Sequence, residues 1–300
     1  MADDPPALLA VIVHFGDISP TLEAVASLAA QAGLDAALSR FDWVVVDNGP
    51  RRPNLRLEET VRSSGGRYLP TERNEGFFGG VFAALGGVRR ESFPELLLIL
   101  NHDVRLEPDT VALLVARIVE DPLLGVVGPA ILDAQTGLLW NAGSAIEWPR
   151  CRPRSLLHNR PAAELPGEPY PADFLCGCAL LVRTATLSPL PQSLREYFLY
   201  FEDAELSYAV RERGWRIEVV PRARVLHRAG SAASREEQLV QRYRVRNRIR
   251  FSRRWAPPGI APRFHRWLFA LQNIVRGGAR LRGALDGLFD CLAGRGKPSR

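Results

Sequence analysis

Three carboxylates in four residues, Glu202, Asp203 and Glu205, follow an aromatic run from Tyr197 to Phe201. Aromatic neighbours desolvate a carboxylate and raise its pKa, which makes it a better general base. On a helix Glu202 and Glu205 share a face while Asp203 points elsewhere. The same cluster also suits an acidic first helical turn favoured by the helix dipole. A second group, Asn101-His102-Asp103, directly follows an apolar run. Mg2+ and Mn2+ are hard cations that take carboxylates and substrate phosphate oxygens. A single Asp103 can therefore anchor such an ion when a diphosphate supplies the other ligands, and Asn101 could bond a ribose or phosphate. Asp103 satisfying local amides in a loop is the alternative. His227 follows another strand-like run, 24 residues after Asp203. Its imidazole either completes a metal shell with Asp103 or is a hydrogen-bonded structural residue. In Arg73-Asn74-Glu75-Gly76-Phe77-Phe78-Gly79-Gly80, glycines at a helix start let the backbone approach a ligand or another helix. No Gly-Lys-Ser/Thr follows it, and no GxGxxG follows the first strand, so neither a Walker A loop nor a dinucleotide fingerprint is present.

Alternating strands and helices must position these groups. Leu8–Val13, Asp42–Asp47 and Glu95–Leu100 are apolar runs that predict buried strands, with a short strand at Arg67–Leu69. Helices are expected from Ser19, as N-cap, to about Ala32, from Gly76 to Arg90, and from Pro108 to Glu120. This βαβα order predicts an α/β fold with a mainly parallel, Rossmann-like sheet flanked by helices. Ligands then bind beyond the carboxyl ends of the strands. His14, Asp47 and Asn101–Asp103 fall at those ends. Leu132 to Pro171 reads as loops and short strands, and Phe174–Arg183 as a strand. A charged helix lies within Phe198–Gly214, and Trp215–Val220 reads as a further strand. From Arg235 the pattern turns helical, broken at Pro257-Pro258. Residues 1–234 are thus expected to form the catalytic domain and 235–300 a C-terminal helical extension.

The 300 residues carry a net charge of +6 that is unevenly spread. Residues 235–300 hold 16 Lys and Arg against 4 Asp and Glu, so the remainder is acidic. A basic tail suggests an anionic partner such as a membrane surface, or a solvated face in an arginine-biased chain. Arginine alternates from Arg242 to Arg250 in a way that suggests exposed charge, and Leu268, Leu271, Ile274 and Val275 add a partial apolar stripe. Cys151, Cys176, Cys178 and Cys291 form no CxxC pair and read as free thiols in a reducing compartment. The acidic N-terminus resembles no signal peptide, and no run reaches the ~18 apolar residues that span a bilayer. A cytoplasmic protein, free or peripheral on the inner membrane face, is expected.

Six motifs occur in order: Val45-Val-Asp47-Asn48, Asn74-Glu-Gly76-Phe77, Leu100-Asn101-His-Asp103, Gly177-Cys-Ala-Leu-Leu-Val-Arg183, Phe198-Leu-Tyr-Phe-Glu202-Asp203 and Pro221-Arg-Ala-Arg-Val-Leu-His227. Over about residues 8–255 the chain resembles the family 2 glycosyltransferases of GT-A fold, particularly the rhamnosyltransferase-like and galactofuranosyltransferase-like branch. The resemblance implies an inverting hexosyltransferase that uses Mg2+ or Mn2+ and a dTDP- or UDP-linked donor. A glycan or lipid-linked acceptor in cell-surface polysaccharide synthesis is implied. By this resemblance Asp47, Arg73, Asn74 and Gly76 bind donor, with Asn101 and Asp103; His14 covers the base. Asp103 and His227 hold the metal, and Asp203 is the catalytic base. Gly177, Tyr200 and Glu202 face the acceptor, with Tyr197, Phe198 and the Gly177–Arg183 run nearby. Two positions depart from the family pattern. His14-Phe15-Gly16 stands where Thr/Ser-Tyr/Phe-Asn is usual, and Pro50 stands where Ser is usual. An inactive nucleotide-sugar-binding scaffold is the competing reading. A nucleic-acid module is opposed by the acidic body and the lack of any such motif.

Overall fold

The computed structural model describes residues 5–49, 52–89, 92–188, 192–228, 237–259 and 278–293. Apolar runs make the first strands: β1 (Ala7–His14), β2 (Arg40–Asp47), β3 (Arg67–Pro70) and β4 (Leu96–Asn101). They lie parallel in the order β3-β2-β1-β4. The sheet continues through β11 (Ala179–Arg183), β6 (Leu124–Asp133), β12 (Arg216–His227) and β10 (Tyr170–Pro171). β6 and β12 are again parallel, whereas β11 runs antiparallel between β4 and β6. Two short strands, β5 (Val104–Leu106) and β7 (Leu139–Asn141), pair with β12 and β6, completing ten strands. β8 (Ser144–Glu147) and β9 (Arg152–Ser155) form a separate hairpin.

Helices cover both faces. α1 (Ile18–Ala29), α2 (Leu55–Ser63) and α4 (Thr110–Glu120) bury Leu28, Leu57, Val61, Leu114 and Ile118 against one side. α3 (Phe77–Gly86) and α5 (Glu202–Glu212) bury Phe78, Val81, Leu206 and Val210 against the other. The α1 cap is Asp17, whose side chain accepts from the Ser19 N–H; Ser19 itself lies inside the first turn. The charged helix expected in Phe198–Gly214 is α5, and the strand expected from Trp215 runs on to His227.

Helix α6 (Glu237–Trp255) and helix α7 (Gly278–Leu292) follow. Gly283 and Gly287 of α7 approach the α6 backbone so closely that a Cβ would strike Gln238 O and Arg242 O. Asp290, buried, takes a bidentate bond from Arg242 at 2.6 and 2.8 Å. The arginines of α6 do not form one exposed face. Arg246 is 1% exposed, Arg242 is half-buried, and Arg244 is exposed. Alternate residues on a helix lie 200° apart, so an i, i+2 pattern spreads over all faces. Leu268, Leu271, Ile274, Val275 and Pro50 lie outside the described residues. Among the described residues no helix is long and apolar enough to cross a membrane, and all four cysteines are free.

Candidate active site

The carboxyl ends of β2, β1 and β4 and the amino end of β11 form one rim. Register pairs His14 with Asp47 across β1–β2, and Val13 with Asn101 across β1–β4. The Asn101 N–H donates to Cys178 O at 2.9 Å, which brings the residues before β11 to the same edge. Adjacent strands sit about 4.8 Å apart, so Asp47 and Gly177 are about 14 Å apart along this rim.

At the β2 end Asp47 is 4% exposed and accepts from the Tyr68 hydroxyl. His14 lies 4.0 Å from it and bonds Thr21 Oγ1 through Nδ1 at 2.7 Å. Burial, and then the neighbouring His102 ring, push the His14 pKa down to about 4, so this imidazole stays neutral at ordinary pH. Asn48 shapes the next segment. Its amide donates to Asn74 Oδ1 and Gly76 O, and its oxygen accepts from the Glu75 N–H at 3.0 Å. Asn74 accepts from the Gly76 N–H at 2.9 Å. Gly76 has φ +78°, and a Cβ there would sit 2.3 Å from Phe198 O. Arg73 is exposed and paired with Glu75.

Beyond β4, Asp103 Oδ1 lies 3.3 Å from His227 Nε2, both side chains under a tenth exposed. The antiparallel β5–β12 pair produces this meeting, with Val104 opposite His227. The Trp140 ring lies 4.6 Å from His227. The carboxylate oxygen suits Mg2+ or Mn2+, and the imidazole nitrogen is the better match for Mn2+, the softer of the two. Adjacent octahedral ligands at about 2.1 Å lie about 3 Å apart, so the separation fits one ion. No group of three or more His, Cys, Asp or Glu side chains able to hold an ion occurs among the described residues. Further ligands would come from a substrate diphosphate.

Asp203 is held next to Cys178, by the preceding residue. The Gly177 N–H donates to its Oδ2 at 3.0 Å and the Ala204 N–H to its Oδ1 at 2.8 Å. Burial raises its pKa, and these amide bonds oppose the rise. Glu202 beside it is 8% exposed, and burial, then the Asp203 charge, raise its pKa to about 8. Asp103 with His227, and Asp203 with Gly177, lie along the same sheet rim, and the Asp103 and Asp203 charges both act on the Cys178 thiol. Tyr200 is half-buried under the Arg244 guanidinium, 4.5 Å from its ring centroid. Ala179–Val182 lies inside the sheet, and Arg183 binds Leu124 O and Ile118 O beyond the strand's far end. Only the head of the expected Gly177–Arg183 acceptor run thus lies at the rim. Tyr197 is likewise interior, bonded to Glu205.

A family model described as glycosyl transferase family 2 matches residues 10–184. The chain belongs to the family 2 glycosyltransferases. Two curated relatives from Mycobacterium tuberculosis strains, each named N-acetylglucosaminyl-diphospho-decaprenol L-rhamnosyltransferase, are 28% identical over 206 residues. That match spans 62% of this chain and 62% of each relative. Among solved structures the transferase resembles GalNAc-T7 with UDP, GalNAc and Mn2+, at TM-score 0.64 and 17% identity, over 95% of this chain and 55% of that one. It also resembles the Pyrobaculum calidifontis mannosyltransferase PcManGT with GDP-Man and Mn2+, at TM-score 0.57 and 15% identity, over 99% and 77%. The fold is that of the GT-A glycosyltransferases.

Several residues of the transferase's cleft carry no reading of their own in the sequence. Asn48 stands within the Asp47 motif, yet its role in folding the Asn74–Gly76 loop needs the loop's geometry. Tyr68 on β3 anchors Asp47, and Thr21 on α1 anchors His14; their isolated polar positions give no signal. Glu205, read as sharing a face with Glu202, is fully buried and receives bonds from Tyr197 Oη and Trp255 Nε1 at 3.1 and 2.8 Å.

Proposed function

We propose that this transferase moves a rhamnose-like or galactofuranose-like sugar from a dTDP- or UDP-linked donor to a hydroxyl of a glycan or lipid-linked acceptor. Transfer is metal-dependent and inverting, and serves cell-surface polysaccharide synthesis. The observation that carries this reading is the close Asp103–His227 pair on the same sheet rim as the amide-held Asp203, with both carboxylates acting on the Cys178 thiol. The names of the mycobacterial relatives support the sugar and the lipid-linked acceptor. Mn2+ in the two structural neighbours supports the ion.

Asp47, beside a neutral His14, would receive the nucleoside, with Asn74, Gly76 and Arg73 along its flank and Asn101 near the phosphates. Asp103 and His227 would hold Mg2+ or Mn2+, which as a Lewis acid stabilises the leaving diphosphate when bound. Asp203 takes the proton from the acceptor hydroxyl as its oxygen attacks the anomeric carbon. One base, without a protein nucleophile, gives a single displacement and inversion, as in inverting glycosidases. Tyr200, Glu202 and Gly177 surround that base and would orient the acceptor. The basic charge of residues 235–300 left outside internal pairs would attract an anionic membrane face where lipid-linked acceptors lie.

A thermal-shift panel of dTDP-rhamnose, UDP-galactofuranose, UDP-glucose and GDP-mannose with Mn2+ tests the donor. One responding donor is expected, since stabilisation follows mass action. No response from dTDP- or UDP-linked sugars would remove this reading. Transfer to a polyprenyl-diphospho-N-acetylglucosamine acceptor tests the other substrate.

A further inference from the structure

We propose that Asn247, on helix α6 and beyond the residues matched by the family model, is a positioning residue for sugar transfer. It holds the left-handed turn that aims Asp203. The role in transfer rests on Asp203 being the base, as proposed above.

Tyr200 and Phe201 both have left-handed backbone, with φ of 67° and 70°. Neither is glycine, and two successive side chains in this region persist only where the surroundings over-determine them. The turn ends at Phe201, whose carbonyl accepts the Glu205 N–H at 2.8 Å and opens α5. Asp203 lies in that first helical turn, so its direction is inherited from these two residues.

Helix α6 supplies the constraint. Asn247 is 0% exposed, and both hydrogens of its amide are used. Nδ2 donates to Leu199 O at 2.7 Å and to Tyr200 O at 2.8 Å. Its oxygen accepts from Arg246 Nε at 2.9 Å, which fixes the amide's orientation. Arg246 also donates to Glu196 O at 2.8 Å. Tyr243 stacks on Phe198 with ring centroids 4.9 Å apart, so α6 grips residues 196 to 200 at successive points. The gripped strap also reaches the donor side, because Phe198 O accepts the Phe77 N–H at 3.2 Å. The Asn247 amide thus holds the two carbonyls that lead into Asp203, while Phe198, on the donor side, is held separately by Tyr243.

Losing both donated bonds would let the turn relax, and a displacement of about 1 Å in a reacting group can cost about 10²-fold in rate. The test compares Asn247→Leu, Asn247→Ser and Leu57→Ala, a core change in α2 at the far edge of the sheet. Hydrogen exchange of the nucleotide-free protein should show the amides of residues 202–205 exchanging about tenfold faster in N247L, less so in N247S, and unchanged in L57A. With dTDP-rhamnose and Mn2+, kcat should fall about 10²-fold in N247L while the donor KM and the dTDP–Mn2+ affinity stay within about threefold. Leu57→Ala should lower Tm without that loss of kcat. If N247L fails to fold, N247S carries both readouts. Unchanged exchange at 202–205 overturns the clamp. Faster exchange with kcat matching that of L57A overturns its role in transfer. A wild-type protein inert toward dTDP-rhamnose and dTDP would count against the donor reading, while the exchange result still decides the clamp.

Discussion

The backbone N–H of Gly177 donates to Asp203 Oδ2 at 3.0 Å, so the residue opening the approach to β11 fixes the carboxylate proposed as the base. The Ala204 N–H occupies the other oxygen. Burial raises this group's pKa while two amides favour its ionised form, which leaves a base that can still lose its proton. Asp203→Asn should cut transfer by about 10²–10⁴-fold, the usual worth of a general base, while nucleotide binding persists. An amide oxygen can serve only one of the two N–H donors well, so a small drop in Tm should accompany the loss. Turnover near the wild-type rate would remove Asp203 from the mechanism.

Asp103 and His227 make a separable prediction. Asp103→Ala and His227→Ala should each weaken the Mn2+-dependent part of UDP or dTDP binding by about tenfold or more, as loss of a metal ligand or its partner does. Binding measured by calorimetry in EDTA should be the same for both variants and the wild type. Wild-type turnover that survives EDTA would contradict the metal role.

Glu202 should make stability depend on pH. Its folded-state pKa is raised to about 8 by burial and by Asp203. The folded protein therefore holds this proton more tightly than the unfolded chain does. That contribution is fully present below the ordinary glutamate range and is lost as pH climbs through about 8. Glu202→Gln should consequently raise Tm at pH 8.5 by several degrees and change it little at pH 5. A Tm difference that stays flat across this window would contradict the assignment.

Gly76→Ala should harm both stability and donor binding. The position has φ +78°, and a Cβ would meet the carbonyl oxygen of Phe198, part of the backbone and unable to swing away. Left-handed strain and overpacking together suggest a cost of roughly 2–3 kcal/mol, read as a lower denaturation midpoint. Gly65→Ala, also at positive φ but in open space, supplies the comparison that isolates the clash.

Strands ending in polar residues were legible because a buried parallel strand is a continuous apolar run, and His14, Asp47 and Asn101 each follow one. β6 was not legible: Gly125, Gly128 and Pro129 interrupt its apolar run, although the strand is buried along nearly all its length. α2 was equally silent, since it buries only Leu57 and Val61 and leaves Leu55 exposed. Asp103, Asp203 and His227 could be nominated from their motifs, but the Asp103–His227 contact depends on β5 folding back on β12, and the approach of Gly177 and Asp203 to the rim on β11 running against β4. The arginine run misled because alternation describes faces on a strand, whereas this segment winds into a helix and turns Arg246 inward.

The reversed direction of β11 brings the chain to the rim on entry and carries it to the opposite edge on exit. Chain leading into this strand, including the β8–β9 hairpin, arrives at the cleft and ends on Gly177, while chain leaving it departs from the opposite edge. Within Asn141–Cys176, β10 pairs with β12 and Phe174 and Leu175 are buried, so length and composition have room to change at exposed positions such as Pro166–Glu168.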